Sequence, residues 1–130
     1  MQVFIDTSYF FARMAENDQW HKRAKKAASS YRSAVTSSLV INETVSLLQA
    51  KGMFSAALTF LRGIRNTPEV RIVYLDPVLQ SEAWDLFSRW GGSGASALDC
   101  ASFAVMRSLS IKKALTFDEH FRTAGFETLR

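Results

Sequence analysis

The sequence predicts an α/β fold, specifically a three-layer α/β/α sandwich with a mostly parallel central sheet. Short apolar runs that suit buried strands alternate with longer segments in which apolar residues recur every three to four positions, the period of an amphipathic helix. Alternating strands and helices imply parallel pairing with right-handed crossovers. At 130 residues, with no internal repeat and no linker, the chain is expected to form one domain over residues 1–130.

The predicted elements follow one another without a long gap. Strands are predicted at 2–6, 34–37, 70–75, 113–117 and within 126–129. Helices are predicted after Asp6 and then at about 18–30, 38–50, 53–65, 79–90, 97–109 and 118–123. Asp76 and Pro77 have the arrangement of a cap and a first helical residue. The helix at 97–109 is apolar on more than one face, which predicts that it is buried.

The composition excludes several classes of protein. The hydrophobic fraction of 48% is too high for a disordered chain, and no apolar stretch reaches the ~18 residues of a membrane helix. The first six residues lack the basic start of a signal peptide. The single cysteine, Cys100, cannot form an internal disulfide and fits a reducing compartment. We therefore expect a cytoplasmic protein that does not bind a membrane.

Four acidic residues are predicted to meet at one edge of the sheet: Asp6, Glu43, Asp99 and Asp118. Asp6 ends the first predicted strand, Asp118 directly follows the fourth, and the other two acids lie in the first turns of predicted helices. Strand ends and the helix starts after them share the edge at which open α/β sheets bind ligands. Ionised carboxylates repel one another, and a hard cation such as Mg²⁺ or Mn²⁺ removes that conflict. The pattern predicts a metal-dependent phosphodiester hydrolase.

Three of these acids also have a simple structural explanation. Asp6 could cap the helix that follows it, and Glu43 could be a solvated residue on an exposed helix face. Ser96 and Asp99 have the spacing of a capping box, which is a routine helix start. Capping and metal binding are compatible, because the positive field of a helix N-terminus keeps a carboxylate ionised.

The last acid competes with its neighbour for the capping role. Thr116 and Glu119 have capping-box spacing, so Glu119 is expected to cap the helix and Asp118 to act as a ligand. His120 is interpreted as packed against the last strand or exposed rather than catalytic, because imidazole is not a favoured ligand of Mg²⁺.

Four segments taken together resemble the PIN-domain family. They are Val3–Ser8, Asn42–Thr44, Ser96–Phe103 and Leu115–Phe121. Each motif is weak alone, but the four occur in order, at the usual spacing, along the whole chain. The resemblance implies a ribonuclease that depends on Mg²⁺ or Mn²⁺. Small members of this family are typically VapC-type toxins, each neutralised by a partner antitoxin.

The resemblance also assigns roles to residues. The catalytic and metal-binding quartet would be Asp6, Glu43, Asp99 and Asp118, with hydroxyl support from Thr7 or Thr116. The residues expected to contact RNA phosphates are Arg13, Lys22, Arg23, Lys25 and Lys51. The excess of 16 basic over 12 acidic residues suits a polyanionic substrate. Ala97 and Leu98 stand where toxins often carry a hydroxyl, which would weaken the support of the third acid without removing a ligand.

Other interpretations remain open. A PIN-like protein could process RNA without a paired antitoxin, or bind RNA or a protein without cutting. A phosphotransferase of the haloacid-dehalogenase type would need an acid where this chain has Ser8. A homodimer is expected, and an early apolar surface could serve it or an antitoxin helix, although the sequence favours the core for these residues: Phe10, Phe11, Met14 and Trp20.

Overall fold

A computed structural model describes residues 2–129 as an α/β/α sandwich on a five-stranded sheet, which confirms the predicted fold class. The strands are β1 (Gln2–Ile5), β2 (Ser33–Ser37), β3 (Val70–Val73), β4 (Lys113–Leu115) and β5 (Glu127–Leu129). Their order across the sheet is β3-β2-β1-β4-β5, and all four pairings are parallel. The first strand of the chain therefore lies at the centre of the sheet.

Seven α-helices cover the two faces of this sheet within residues 2–129. They are α1 (Thr7–Met14), α2 (His21–Ala27), α3 (Ser38–Ala50), α4 (Phe54–Arg65), α5 (Pro77–Trp90), α6 (Ala97–Ser108) and α7 (Glu119–Thr123). From β1 to β3 the chain crosses the sheet in one direction, and from β3 to β5 it crosses in the other. Right-handed crossovers then place α1–α4 on one face and α5–α7 on the opposite face.

Helices α1 and α3 begin directly at the ends of strands, and three residues separate α7 from β4; a polar side chain caps each of them. Asp6 caps α1, Ser37 caps α3 and Asp118 caps α7, each by accepting a backbone N–H of the first turn. The crossover direction changes between β1 and β4, which are neighbours in the sheet. The carboxyl ends of these two strands form the switch point at which doubly wound sheets bind ligands.

β4 is shorter than the sequence predicts, because the backbone amides that follow it donate hydrogen bonds to side-chain hydroxyl groups. The strand ends at Leu115, two residues before its predicted end. The amide of Phe117 donates to Ser8 Oγ at 2.9 Å, and the amide of Asp118 donates to Thr116 Oγ1 at 3.0 Å. These amides bind side chains in place of a neighbouring strand, so the chain leaves the sheet here.

The second helix is also shorter than predicted. It begins at His21 and continues past Ala27 only as a 3₁₀ turn over Ala28–Ser30. Asp18 Oδ2 accepts a hydrogen bond from the amide of Trp20 at 2.9 Å, which closes a separate turn before the helix. The predicted start at Asp18 was therefore wrong by one turn, while the cap of α5 by Asp76 is confirmed.

The core lies between the sheet and its two helical layers. β1 is at most 1% exposed from Val3 to Ile5. The predicted burial of α6 is confirmed, since every residue over Asp99–Met106 is buried. Phe10 belongs to the core, and the other early apolar side chains pack against it, as the sequence favoured. No helix within residues 2–129 has both the length and the hydropathy needed to cross a bilayer.

Candidate active site

Asp6 is a buried acid at the end of the central strand. It is 4% exposed, and its Oδ2 atom accepts hydrogen bonds from the hydroxyls of Ser8 and Thr116, each at 2.9 Å. The amide of Ser8 adds a longer contact of 3.4 Å to the same oxygen. These donors fix the orientation of the carboxylate.

The two hydroxyls connect Asp6 to the loop after β4. Ser8 Oγ accepts the amide of Phe117, and Thr116 Oγ1 accepts the amide of Asp118. A hydroxyl has one proton and two lone pairs, so donating to a carboxylate leaves it able to accept from an amide. The backbone around Asp118 is therefore fastened to the end of β1.

Asp99 lies at the start of the buried helix α6 and is 8% exposed. Its Oδ2 atom accepts the amide of Ser96 at 3.0 Å, while its own amide donates to Ser96 Oγ at 3.0 Å. The capping box suggested by the sequence is confirmed. It occupies only one of the two carboxylate oxygens, so it is compatible with a ligand role.

Asp118 itself caps α7, which corrects the expectation that Glu119 would do so. Its Oδ1 atom accepts the amide of His120 at 2.9 Å and lies 2.7 Å from Nδ1 of the same histidine. An ionised carboxylate can only accept, so Nδ1 carries the proton in this contact. The Asp-x-His spacing lets the side chain of Asp118 bind both the amide and the imidazole of His120. The helix therefore starts at this cap and not at the predicted capping box of Thr116 and Glu119.

His120 also lies at the site, although the sequence gave it no part there. Its Nδ1 atom is 3.8 Å from Asp99 Oδ2, so the imidazole stands beside both aspartates. Gly94 closes the 3₁₀ turn over Gly91–Ser93 and has φ of 101°. A methyl group on Gly94 would come within 2.9 Å of His120 Nε2. The turn therefore confines the ring from its other side.

The three aspartates share one pattern of hydrogen bonding. Each uses a single oxygen for the bonds described above. None of the bonds described above involves the other oxygen, which is Asp6 Oδ1, Asp99 Oδ1 or Asp118 Oδ2. One ligand atom from each of Asp99, Asp118 and His120 lies within 4.8 Å of the others. Asp6 is outside this group of three, although its carboxylate is near enough to Asp99 for the two charges to interact.

Burial and mutual repulsion make these carboxylates harder to ionise. Burial raises the pKa of Asp6 from 3.8 to about 6, the negative charge of Asp99 adds to the rise, and the hydrogen bonds from Thr116 and Ser8 oppose it. Burial also raises the pKa of Asp99, with a further contribution from the charge of Asp118. A bound cation would favour the ionised forms, so the site is electrostatically suited to one.

The donor chemistry fits a divalent metal ion. Carboxylate oxygens are the ligands that Mg²⁺ and Mn²⁺ prefer. Asp6 and Asp99 are already oriented by hydrogen bonds to their other oxygens, as the carboxylate ligands of metal sites commonly are. A cation bound to the other oxygens would leave in place the bonds that position the three aspartates.

The other predicted residues of the site differ in their relation to the three aspartates. Glu43 is exposed in the second turn of α3, and within residues 2–129 no hydrogen bond or ion pair joins it to the aspartates. Because α3 starts directly after β2, Glu43 lies toward the same edge of the sheet. Thr7 Oγ1 is buried and has no hydrogen-bond partner within the described residues, whereas Thr116 contacts Asp6. The role of Glu43 as a fourth acid stays a prediction.

The basic residues proposed for phosphate contact are all exposed, and they fall in three places. Arg13 is near the end of α1, where it donates to the hydroxyl of Tyr9 at 3.3 Å. Lys22, Arg23 and Lys25 are on α2. Lys51 directly follows α3. Their exposure leaves them available to a polyanion.

Sequence reasoning missed two residues of this network, Ser8 and His120. The spacing Asp6-x-Ser8 resembles the spacing of Asp118-x-His120, and in both pairs the acid binds the residue two positions later. A polar side chain two residues after a strand-end acid is therefore the signal that could have identified them. The contact of Ser8 with the 116–118 loop joins residues that are far apart in the sequence, so no local pattern predicts it.

The first prediction concerns the hydroxyl that joins Asp6 to the loop. We expect Thr116→Val to lower the free energy of unfolding by about 1–3 kcal/mol, because it leaves the buried amide of Asp118 without its acceptor and removes one donor to Asp6. Urea denaturation measures the change. Thr44→Val is the matched control, since the buried hydroxyl of Thr44 bonds only the carbonyl of Val40 in its own helix. Equal losses in the two variants would contradict the account.

The second prediction concerns the pH dependence of stability without metal. The folded protein holds the Asp6 proton up to about pH 6 and the unfolded chain only up to about 3.8, so stability falls as the pH rises through this window. Asp6→Asn removes this dependence, while its amide oxygen can still accept both hydroxyls. In EDTA we expect the variant to exceed wild type by up to about 3 kcal/mol at pH 7.5 and to match it near pH 4. If the difference in the free energy of unfolding between the variant and wild type is constant across this pH range, the pKa of Asp6 is not raised by folding.

The third prediction concerns the turn that confines His120. We expect Gly94→Ala to cost about 1–2 kcal/mol, because it needs a positive φ and places a methyl group against the imidazole. Gly92→Ala is the control from the same turn, since its methyl group would meet nothing within 4 Å. Thermal unfolding compares the two variants. If both melt like wild type, the close approach of Gly94 to His120 is not a constraint.

Comparison with known proteins places the chain in a family. Residues 3–127 match the family model of the PIN domain. The protein named 23S rRNA-specific endonuclease VapC20, from Mycobacterium tuberculosis, is 35% identical over 129 residues, which is 98% of each chain.

Solved structures agree with this relationship. The crystal structure of Mycobacterium tuberculosis VapC20, described as a sarcin–ricin loop cleaving toxin, has a TM-score of 0.89 and 34% identity over 95% of each chain. FitAcB from Neisseria gonorrhoeae has a TM-score of 0.73 at 15% identity, covering 100% of this chain and 97% of its own, and supports the fold alone. The resemblance found in the sequence is confirmed, and the chain belongs to the PIN-domain family.

Proposed function

We propose that this protein is a metal-dependent endoribonuclease whose single domain spans residues 1–130. The observation that carries the proposal is the set of three carboxylates at the switch point, each with one oxygen held by the protein and one left unassigned. A relative that matches nearly the whole chain is named an endonuclease, which supports the same reaction class.

One or two Mg²⁺ or Mn²⁺ ions would complete the site. Asp6, Asp99 and Asp118 are the proposed direct ligands, and Glu43 is the proposed fourth acid, acting as a ligand or through water. When bound, the cation supplies positive charge for the scissile phosphate and activates a water nucleophile. Without such a cation, a pKa of about 6 would leave Asp6 partly protonated near neutral pH, and burial raises the pKa of Asp99 as well.

The protein's own side chains hold the reacting groups in place. Ser8 and Thr116 fix the carboxylate of Asp6 through their hydroxyls, and His120 fixes that of Asp118 through Nδ1. Glu43, on its exposed helix face, would orient the attacking water. Attack by water does not use the ribose hydroxyl as the nucleophile, so cleavage would leave a 5′-phosphate.

A structured loop of ribosomal RNA is the proposed substrate class. The names of the VapC20 relative specify 23S rRNA and the sarcin–ricin loop, and a loop can bend its backbone into a pit more readily than a duplex. The proposed phosphate contacts are Arg13, Lys22, Arg23, Lys25 and Lys51. Their positive charge would attract RNA over long range at low salt.

We further propose that the protein is the toxin of a toxin–antitoxin pair, acts in the cytoplasm and forms a homodimer. The similarity to a VapC toxin supports an antitoxin partner. Large apolar side chains stand exposed on α5, with Val78 70%, Trp84 64% and Phe87 45% exposed. Such a surface is suited to burial against a second copy.

The fourth prediction tests the nuclease directly. We expect wild type with Mn²⁺ to cut a sarcin–ricin stem-loop RNA into products with a 5′-phosphate, and EDTA to stop the reaction. Asp99→Asn should slow cleavage by about 100-fold or more, because it removes a ligand charge at the reacting phosphate.

Asp76→Asn is the matched control for this experiment. Asp76 also caps a helix, but it belongs to α5 and contacts none of the three aspartates, so its variant should cut at the wild-type rate. Cleavage that persists in EDTA, or an Asp99→Asn variant as fast as wild type, would contradict the mechanism. Binding of the RNA without cleavage in Mn²⁺ would favour a binding module instead.

A further inference from the structure

Trp20 is held rigidly on a short turn before α2. Its amide donates to Asp18 Oδ2 at 2.9 Å. The next residue, His21, places Nδ1 2.6 Å from the carbonyl oxygen of Ala12 and so ties the turn to α1. The indole is partly buried, and its position is fixed by its neighbours rather than by a flexible loop.

Trp20 forms a parallel stack with Phe117. The ring centroids are 5.0 Å apart and the planes differ by 6°. The guanidinium carbon of Arg23 lies 5.3 Å from the centroid of the same indole. Aromatic rings stack on nucleobases, and arginine contributes through cation–π contact, so this combination of groups is one that proteins use to hold unpaired bases.

Phe117 joins this stack to the candidate active site. It stands between Thr116 and Asp118, and its amide donates to Ser8 Oγ, the hydroxyl that also binds Asp6. Neighbouring Cα atoms are about 3.8 Å apart, so the stack begins one residue from a proposed metal ligand. A base resting on the indole would belong to a nucleotide close to the phosphate that is cut.

The charge around the stack suits a nucleic acid. α2 has the sequence His-Lys-Arg-Ala-Lys-Lys-Ala, with four cationic residues and no acid. All four cationic side chains are exposed. Consecutive positive charges beside an aromatic surface can contact the RNA backbone while the ring contacts a base. A negatively charged protein segment would satisfy the charges but would leave the planar stack without a matching planar group.

We propose that Trp20 is the stacking site for one unpaired base of the RNA substrate, next to the scissile phosphate. The base extends the Phe117–Trp20 stack, and Arg23 moves from the indole to a backbone phosphate. Lys22 and Lys25 contact neighbouring phosphates. This inference rests on the proposed ribonuclease function and adds to it a contact to a base, which the phosphate contacts alone do not provide.

The test is a binding cycle between one side chain and one base. The probe is a fluorescein-labelled sarcin–ricin stem-loop RNA, together with versions in which each loop nucleotide in turn is abasic. Anisotropy is measured in EDTA, in which the RNA stays intact on the proposed mechanism. For one loop position we expect base removal to weaken wild-type binding by about 5- to 150-fold, the range typical of one stacked base.

Trp20→Leu should weaken binding of the intact RNA by a similar factor. Removing the base at that same loop position should then cause no further loss of affinity in this variant. Trp20→Phe should keep most of the affinity, because it keeps an aromatic ring. Phe54→Leu, which replaces an exposed aromatic side chain on α4, should bind like wild type. The proposal is wrong if Trp20→Leu binds the intact RNA as tightly as wild type. It is also wrong if base removal at every loop position weakens binding of Trp20→Leu as much as it weakens binding of wild type.

A second measurement covers the case in which Trp20→Leu does not fold. Trp84→Phe and Trp90→Phe together leave Trp20 as the single tryptophan of the chain. We expect the stem-loop RNA to quench its fluorescence with the affinity seen by anisotropy. If the fluorescence of Trp20 does not change on addition of the RNA but changes on addition of poly-glutamate, the surface binds an acidic protein segment and the proposal is wrong.

The outcomes distinguish this proposal from the function on which it rests. If the protein cuts the RNA in Mn²⁺ but Trp20→Leu changes the effect of no abasic position, the ribonuclease function stands and the stacking site is wrong. A protein that neither cuts nor binds the RNA loses both. Quenching at one loop base, together with metal-dependent cleavage, supports both.

Discussion

The site depends on one shared acceptor, the Oδ2 atom of Asp6. Two hydroxyls, from Ser8 and Thr116, donate to this atom at 2.9 Å, and each accepts an amide of the loop that follows β4. The ends of two neighbouring strands are thereby joined through a buried carboxylate. Removing this buried carboxylate would take away the acceptor to which both hydroxyls donate, which costs more than the bonds contribute in water. The local position of Asp118 follows from this link.

The same arrangement explains why the site is electrostatically costly. Asp6, Asp99 and Asp118 use one oxygen each for the bonds described above, and the charge of Asp99 acts on Asp6 as the charge of Asp118 acts on Asp99. Burial and repulsion raise the pKa of Asp6 and Asp99, so the fold carries ionisable groups that are less stable as anions than they would be in water. Functional sites commonly retain perturbed groups of this kind. On the proposed mechanism, a bound cation would remove this cost by neutralising the oxygens.

Local sequence patterns predicted the fold and the strand-end acids, since periodicity and chain order determine where parallel strands end. Side-chain choices within a turn were harder to predict. Asp118 rather than Glu119 caps α7, because the short Asp-x-His contact outcompetes a longer capping box. The link from Ser8 to the 116–118 loop and the stack of Trp20 on Phe117 join distant segments. Such contacts depend on tertiary packing, which a single sequence does not specify.

An anomalous difference map from crystals soaked in Mn²⁺ would test the central claim most directly. The account predicts a peak about 2.1–2.2 Å from Asp6 Oδ1, Asp99 Oδ1 or Asp118 Oδ2, with the hydroxyls of Ser8 and Thr116 still bound to Asp6 Oδ2. A soaked crystal with no peak among these three carboxylates, or with Mn²⁺ on the oxygen that the hydroxyls now occupy, would contradict it.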